Sequence, residues 1–324
     1  FFRVVQRFGE ETAGRHFVLT TDPGSKLHRV AQQEHFRQTF DGVPSVGGRY
    51  SALSNFGLVP AALIGADVSA LLNRAEAMAR RCASEGPDNT AFELGVLLGE
   101  LALNGRDKPT LIAPPSLAGF GAWLEQLVAE SLGKQGKGIV PIDAEAPGPP
   151  EVYGRDRVFV HLRSAGEPDA AADAHVERLE RAGHPIVRID WPDRYALGAE
   201  FFRWEFATAV AGAVLRVNPF DQPDVEATKV VTRRLATEYE TTGRLPEDTH
   251  ISAVSSVPTF LNQLGDGDYF ALLAFIEMTR EHRQALEAIG TLVRDRRKVA
   301  TTVGFGPRYL HSTGQAHKGG PSSG

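Results

Sequence analysis

The sequence predicts an α/β protein built from two three-layer α/β/α domains with parallel sheets. Short β-branched runs alternate with helical stretches along the chain, which is the signature of parallel strands joined by crossover helices. A Pro- and Gly-rich segment, DAEAPGPPEVYG (143–154), interrupts the alternation and predicts a linker between residues 1–145 and 152–324. Hydrophobic residues make up 42% of the 324 positions and charged residues 23%, enough apolar matter for cores of that size.

Each element follows from a local pattern. FFRVVQRFGEET (1–12) reads as the middle of an amphipathic helix. HFVLTT (16–21) is a strand, DPGS breaks it, and Ser25 suits the N-cap of a helix over KLHRVAQQEHF. Residues 42–65, GVPSVGGRYSALSNFGLVPAALIG, form a glycine-rich loop feeding an apolar helix. Helices follow near VSALLNRAEAMARRCAS and over 89–105, then a strand at 108–115 and a helix at 120–134. Beyond the linker come a strand (157–162), a helix (172–183), a strand (185–191) and a long buried helix (197–217). The tail repeats the alternation with a strand at 268–276, a helix at 280–297 and a strand at 298–307.

Composition narrows the function. A net charge of −5 gives no basic excess for displacing counterions, so a nucleic-acid partner is not expected. Cys82 stands alone, which excludes a disulfide framework and a cysteine metal cluster and fits a reducing compartment. No apolar run approaches the ~20 residues of a membrane span. There is no G-x-G-x-x-G after a strand and no G-x-x-x-x-G-K-[ST], so no nucleotide cofactor is expected. The expected location is cytoplasmic. Both ends read as those of a fragment: no Met opens the chain, and it closes on KGGPSSG.

Four stretches carry chemistry-bearing residues. In NPFDQPDVEATK (218–229), Asp221 suits a cap and Pro223 a first helical turn. Gln222 and Lys229 are seven apart, nearly two turns, and share a face. A capped helix with a solvated lysine also fits that spacing. In GGRYSALSNFGL (47–58), Gly48 lets the backbone approach a ligand, and Arg49 and Ser51 near a helix start suit an anion. The plainer alternative is a tight turn with a surface arginine. In WLEQLVAESLGKQGKGIVP (123–141), Glu130 lies at a helix C-terminus, an unfavourable place for a carboxylate and one that raises its pKa toward that of a general base. An exposed charge is the alternative. In GFGPRYLHSTGQAHKGG (304–320), His311 falls in a loop after a strand, where sites form in parallel sheets. His311 and His317 are six apart without a carboxylate between them, a poor pattern for zinc.

Together VGGRYSALSNFGL, AESLGKQGKGIVP, NPFDQPDVEATK and LHSTGQ resemble the active-site segments of the phosphoglucose isomerase family. The resemblance covers about residues 1 to 320 and implies two sugar-isomerase (SIS) domains. It implies interconversion of glucose 6-phosphate and fructose 6-phosphate through a cis-enediol, without metal or other cofactor. Glu130 would carry the proton between C1 and C2, and Arg49 would stabilise the enediolate. Lys229 and His311 would open the sugar ring, and Gly48, Arg49, Ser51 and Gln222 would bind substrate. Mannose 6-phosphate as a second substrate, and a non-catalytic SIS-domain sugar-phosphate sensor, are the competing readings.

Three departures qualify the resemblance. The order Glu130, Lys229, His311 looks like the isomerase half of transaldolase/glucose-6-phosphate isomerase fusions, so a transaldolase domain is expected upstream. Asp224 stands where many members have Gly or Ala. The family's Ser/Thr-rich phosphate loop would precede FFRVVQ. In many relatives the histidine comes from a neighbouring subunit; whether His311 does so, and whether the chain forms a homo-oligomer, are left open.

Overall fold

The computed structural model describes residues 2–86, 88–244 and 254–324, with the side chains of 224–228 outside that description. The helices are α1 (Phe2–Phe8), α2 (Glu10–Ala13), α3 (Lys26–Gln33), α4 (Asn55–Leu63), α5 (Val68–Cys82), α6 (Thr90–Leu103), α7 (Ala118–Leu132), α8 (Ala170–Arg181), α9 (Ala196–Leu215), α10 (Pro223–Thr242), α11 (Val257–Leu261), α12 (Arg280–Arg297) and α13 (Gly314–Gly319). The strands are β1 (Val18–Thr21), β2 (Gln38–Asp41), β3 (Lys108–Ile112), β4 (Arg157–Ser164), β5 (Ile186–Trp191), β6 (Tyr269–Ala274) and β7 (Ala300–Phe305). Strand–helix alternation and parallel pairing are both observed, so the molecule is α/β as expected.

The chain divides into two compact units, Phe1–Thr90 with Arg194–Glu205, and Ala91–Asp193 with Phe206–Gly324. The first contains a βαβ arrangement, with β1 and β2 paired in parallel on either side of α3. The Ser25 hydroxyl caps α3 by accepting from the His28 N–H at 3.1 Å, as its position predicts. Asp67 caps α5 and Ser54 caps α4 in the same way. The opening helix is broken at Gly9, whose φ of 80° leaves the right-handed region and separates α1 from α2. Strand β2 has no sequence signal: QTFD carries a single apolar residue, and only its ladder with β1 identifies it.

The second unit holds the sheet β3-β4-β5, all parallel, and the parallel pair β6-β7. The other edge of β3 is covered by an extended segment: the Val140 N–H donates to the Asp107 carbonyl at 2.9 Å and the Ile142 N–H to the Pro109 carbonyl at 2.8 Å. Val140, Ile142, Tyr269 and Ala300 form a buried cluster that ties this segment to β6 and β7. The chain therefore leaves β3, returns through α7 on one side of it, and reaches β4 on the other side. Such a reversal of strand order is where α/β folds open a crevice.

The expected boundary at 145–152 falls inside this unit, because β3 and β4 flank it and pair with each other. The Pro-rich segment is pinned rather than free. Glu145 accepts from Arg157 Nη2 at 2.8 Å and from the Thr301 N–H and hydroxyl at 3.3 Å each. Arg294 donates to the Ala146 carbonyl, and the Tyr153 hydroxyl accepts from the Gly148 N–H at 2.8 Å. Glu145, Arg157 and Arg294 are all buried. Removing one member of such a set strands the others' charge, at about 3–5 kcal/mol. Glu145→Ala is therefore expected to destabilise the protein by that amount in urea unfolding; a loss below about 1 kcal/mol would show that the guanidinium groups find other partners.

Candidate active site

Glu130, Gln222, Lys229 and His311 all lie in the second unit, while Gly48, Arg49 and Ser51 lie in the first. Helix α7 presents Glu130 in its last turn. The residue is 6% exposed, so the reading as an exposed surface charge does not hold. Gln126, one turn earlier on the same face, donates its amide to Glu130 Oε2 at 3.1 Å and so orients the carboxylate.

The chain after Glu130 makes a tight turn on which the other motif segments converge. Lys134 and Lys137 exchange backbone hydrogen bonds of 2.9 and 3.1 Å across Gln135 and Gly136, whose φ values of 58° and 72° the turn requires. Three attachments fix this turn. Gln315, fully buried, donates to the Gly133 carbonyl at 2.9 Å, and the Gly136 N–H donates to the Gly319 carbonyl at 2.9 Å, so α13 is bound to the end of α7. Lys134 Nζ donates to the Asn218 carbonyl at 2.6 Å and to the Asp221 carbonyl and carboxylate at 2.7 Å each, binding the turn before α10. Lys137 Nζ donates to the Leu215 carbonyl at 2.9 Å at the end of α9. Helix α13 packs on both α7 and α10.

His311 closes the short 3₁₀ turn Arg308–His311 immediately before α13, and its side chain is exposed. Helix α13 is not expected from the sequence, where the region after β7 reads as a loop. Gln222 sits half-buried at the N-cap position of α10, and Lys229 is exposed two turns on. The N-cap position of α10 is Gln222 rather than Asp221, and the Asp221 carboxylate accepts from Lys134 and from the Asn218 amide at 3.2 Å. The structure thus brings the segments carrying Glu130, Gln222 and His311 to one turn.

In the first unit, Gly48, Arg49 and Tyr50 form a 3₁₀ turn just ahead of α4. Ser51 donates its hydroxyl to the Gly48 carbonyl at 2.7 Å, closing the turn. Arg49 is 3% exposed, so the surface-arginine alternative fails, and its guanidinium lies 5.9 Å from the Tyr50 ring centroid. Burial of a guanidinium is costly and is usual only where it meets an anion or a polar network.

Two cavities of the second unit, about 520 and 390 Å³, are lined by none of Glu130, Gln222, Lys229 and His311. The larger is lined by Glu125, Asp143, Arg308 and Ser312 among others. Burial, and then the Asp143 charge, push the Glu125 carboxyl up to about 7, while Arg308 and a hydrogen bond with Ser312 act against the shift. Sequence reading passes over Glu125, Gln126 and Lys134; a glutamine four residues before Glu130 is the one available signal. A carboxyl raised from its ordinary 4.5 to about 7 gives up stability as pH rises through that window, because the unfolded chain ionises first. Glu125→Gln removes this decline. The variant is expected to lose less Tm between pH 5 and 8 than the parent, and parallel Tm profiles would contradict the assignment.

No protein-family model matches the chain. Individual proteins do. The chain is 30% identical over 270 residues to the glucose-6-phosphate isomerase of Lactococcus lactis subsp. cremoris (strain MG1363), covering 70% of this chain and 59% of that protein. It is 30% identical over 271 residues, with the same coverages, to that of Streptococcus pyogenes serotype M5 (strain Manfredo). Both of these proteins are named glucose-6-phosphate isomerase. The chain spans 59% of the length of these relatives. Among solved structures, a hypothetical protein of Thermus thermophilus superposes with a TM-score of 0.63 at 26% identity, over 72% of this chain and 66% of that one. The glucose-6-phosphate isomerase of Chlamydia trachomatis D/UW-3/Cx shares the fold, with a TM-score of 0.57 at 17% identity, over 80% of this chain and 58% of that one. Among the described residues no helix is long and apolar enough to cross a membrane, and no group of three or more His, Cys, Asp and Glu is placed to hold a metal ion.

Proposed function

We propose that this chain belongs to the glucose-6-phosphate isomerase family and interconverts glucose 6-phosphate and fructose 6-phosphate through a cis-enediol in the cytoplasm. The observation that carries the reading is the convergence on the 134–137 turn of the segments bearing Glu130, Gln222 and His311. The names of the relatives support the substrate.

The chemistry follows from the residue types. His311 donates a proton to the ring oxygen while O1 loses its own, which opens the ring and exposes the C1 carbonyl; the Lys229 ammonium stabilises the charge that builds up in this step. The Glu130 carboxylate then takes the C2 proton. The electron pair forms the C1–C2 double bond, and charge passes to O1, where the Arg49 guanidinium stabilises it. O1 takes up a proton to give the cis-enediol and the O2 hydroxyl releases one to solvent; return of the proton from Glu130 to C1, with O2 becoming the carbonyl, gives the ketose. Gly48, Ser51 and Gln222 hold the substrate. No electron leaves the sugar, so no redox cofactor enters the scheme.

The motif order Glu130, Lys229, His311 supports a further point, that the chain is the isomerase part of a transaldolase fusion. The test of both is direct. The full-length protein is assayed with glucose 6-phosphate and with mannose 6-phosphate, and separately for transaldolase activity. Formation of fructose 6-phosphate with deuterium uptake from D2O is the expected result. Absence of interconversion, with the sugar phosphate still binding, would favour a sensor.

A further inference from the structure

The turn before α10 is held by a buried cation. Gln222 occupies the N-cap position of α10 without a side-chain cap hydrogen bond, and Asp221, one residue earlier, gives its carboxylate to Lys134. Lys134 is in turn an unusual residue to bury: its side chain is 1% exposed, and an ammonium withdrawn from water gains nothing over a well-packed apolar side chain unless its position matters. Three acceptors lie within 2.7 Å of Nζ, and two of them are the backbone carbonyls of Asn218 and Asp221 that bracket the NPFD turn. That turn is stiffened from within by the Asn218 side chain, which accepts from the Phe220 N–H at 3.0 Å and donates to Asp221 at 3.2 Å. Gln222 is the next residue, and Lys229 follows on the same helix. Lys134 is itself four residues beyond Glu130 and attached to the end of the same helix. A rigid turn is thus fastened through one ammonium to the helix that carries the carboxylate.

We propose that Lys134 is a positioning residue, whose ammonium holds Gln222 and Lys229 in register with Glu130. It touches no reacting atom. The inference rests on the isomerase reading and specifies how that site is assembled. A displacement of about 1 Å in such a constellation costs about 10²-fold in rate.

The test compares Lys134→Ala, Asp221→Ala and Glu130→Gln in the full-length protein, with kcat, KM and C2-proton exchange measured for glucose 6-phosphate. Lys134→Ala is expected to lose about 10²-fold in kcat with a raised KM, because the ring-opening and substrate-holding groups move together. Added propylammonium, which refits the vacated ammonium site, is expected to restore at least a tenfold part of that loss, whereas tetramethylammonium is not. A purely structural lysine would leave kcat and KM unmoved in the folded fraction and show no rescue. Asp221→Ala keeps both carbonyl acceptors and guards against a folding failure of Lys134→Ala; it is expected to lose about tenfold in kcat/KM with an unchanged circular dichroism spectrum. Parental kinetics in either folded variant overturns the proposal while leaving the isomerase reading intact. Parental activity in Glu130→Gln removes Glu130 from the chemistry, and absence of interconversion in the unaltered protein overturns the isomerase reading itself.

Discussion

Glu130→Gln is expected to lower kcat by about 10³-fold or more and to abolish exchange of the C2 proton with solvent, without weakening the fold. The carboxylate is the one group in the scheme that must both accept and return a proton, and an amide can do neither. The substitution preserves volume and the contact with Gln126, now amide to amide at a position where 3.1 Å separates the partners. Its effect on stability runs the other way. Glu130 is buried in the last turn of α7, where the helix dipole disfavours negative charge. Relieving that conflict is expected to leave Tm unchanged or raise it, the usual relation between an active-site charge and stability. A variant that exchanges the C2 proton at the parental rate would remove Glu130 from the chemistry. One that is inactive but also unfolded would show instead that the carboxylate is a structural anchor, and circular dichroism separates the two.

Much of the fold was legible because local signals agreed with tertiary ones. Helix α12 occupies residues 280–297 as its periodicity predicts, and Ser25 caps α3 as its position predicts. What could not be read was decided by partners distant in sequence. Strand β2 exists through its ladder with β1, and the 140–142 segment through its hydrogen bonds to the edge of β3. The stretch 143–154 has the composition of a linker, yet Arg157 and Arg294 reach it from β4 and α12 and pin it. Asp221 reads as a cap, yet Gln222 takes that position and an ammonium 87 residues earlier claims the Asp221 carboxylate. At the candidate site the residues proposed for the chemistry stand in recognisable motifs. Their supports are less legible: Gln126 stands four residues before Glu130, a helical spacing, but Lys134 and Gln315 act through contacts that no spacing rule encodes. Helix α13, which follows His311, is likewise defined by its packing on α7 and α10.

That packing gives the second large effect, expected for Gly133→Ala. A Cβ built on Gly133 would lie 2.3 Å from Ala316 Cα and 2.6 Å from Ala316 Cβ. The first obstacle is backbone, so no rotamer change relieves it, and α13 must move away from α7. The displacement also stretches the 2.9 Å bond from Gln315 to the Gly133 carbonyl, which lies in the fully buried seam. Overpacking of this kind costs about 1–3 kcal/mol. Because His311 immediately precedes α13, the same shift is expected to reduce kcat by about 10²-fold. The backbone at Gly133 has φ −77° and ψ 76°, accessible to alanine, so the effect is steric rather than conformational. Gly136→Ala provides the contrast: at φ 72° it strains the backbone by about 1 kcal/mol, but its Cβ would meet nothing within 4 Å. The two variants are therefore expected to separate, both somewhat less stable in urea and only Gly133→Ala catalytically impaired. Equal kcat values would mean that close contact between α13 and the end of α7 is not what places His311, and the site would have to be assembled from the α10 side alone.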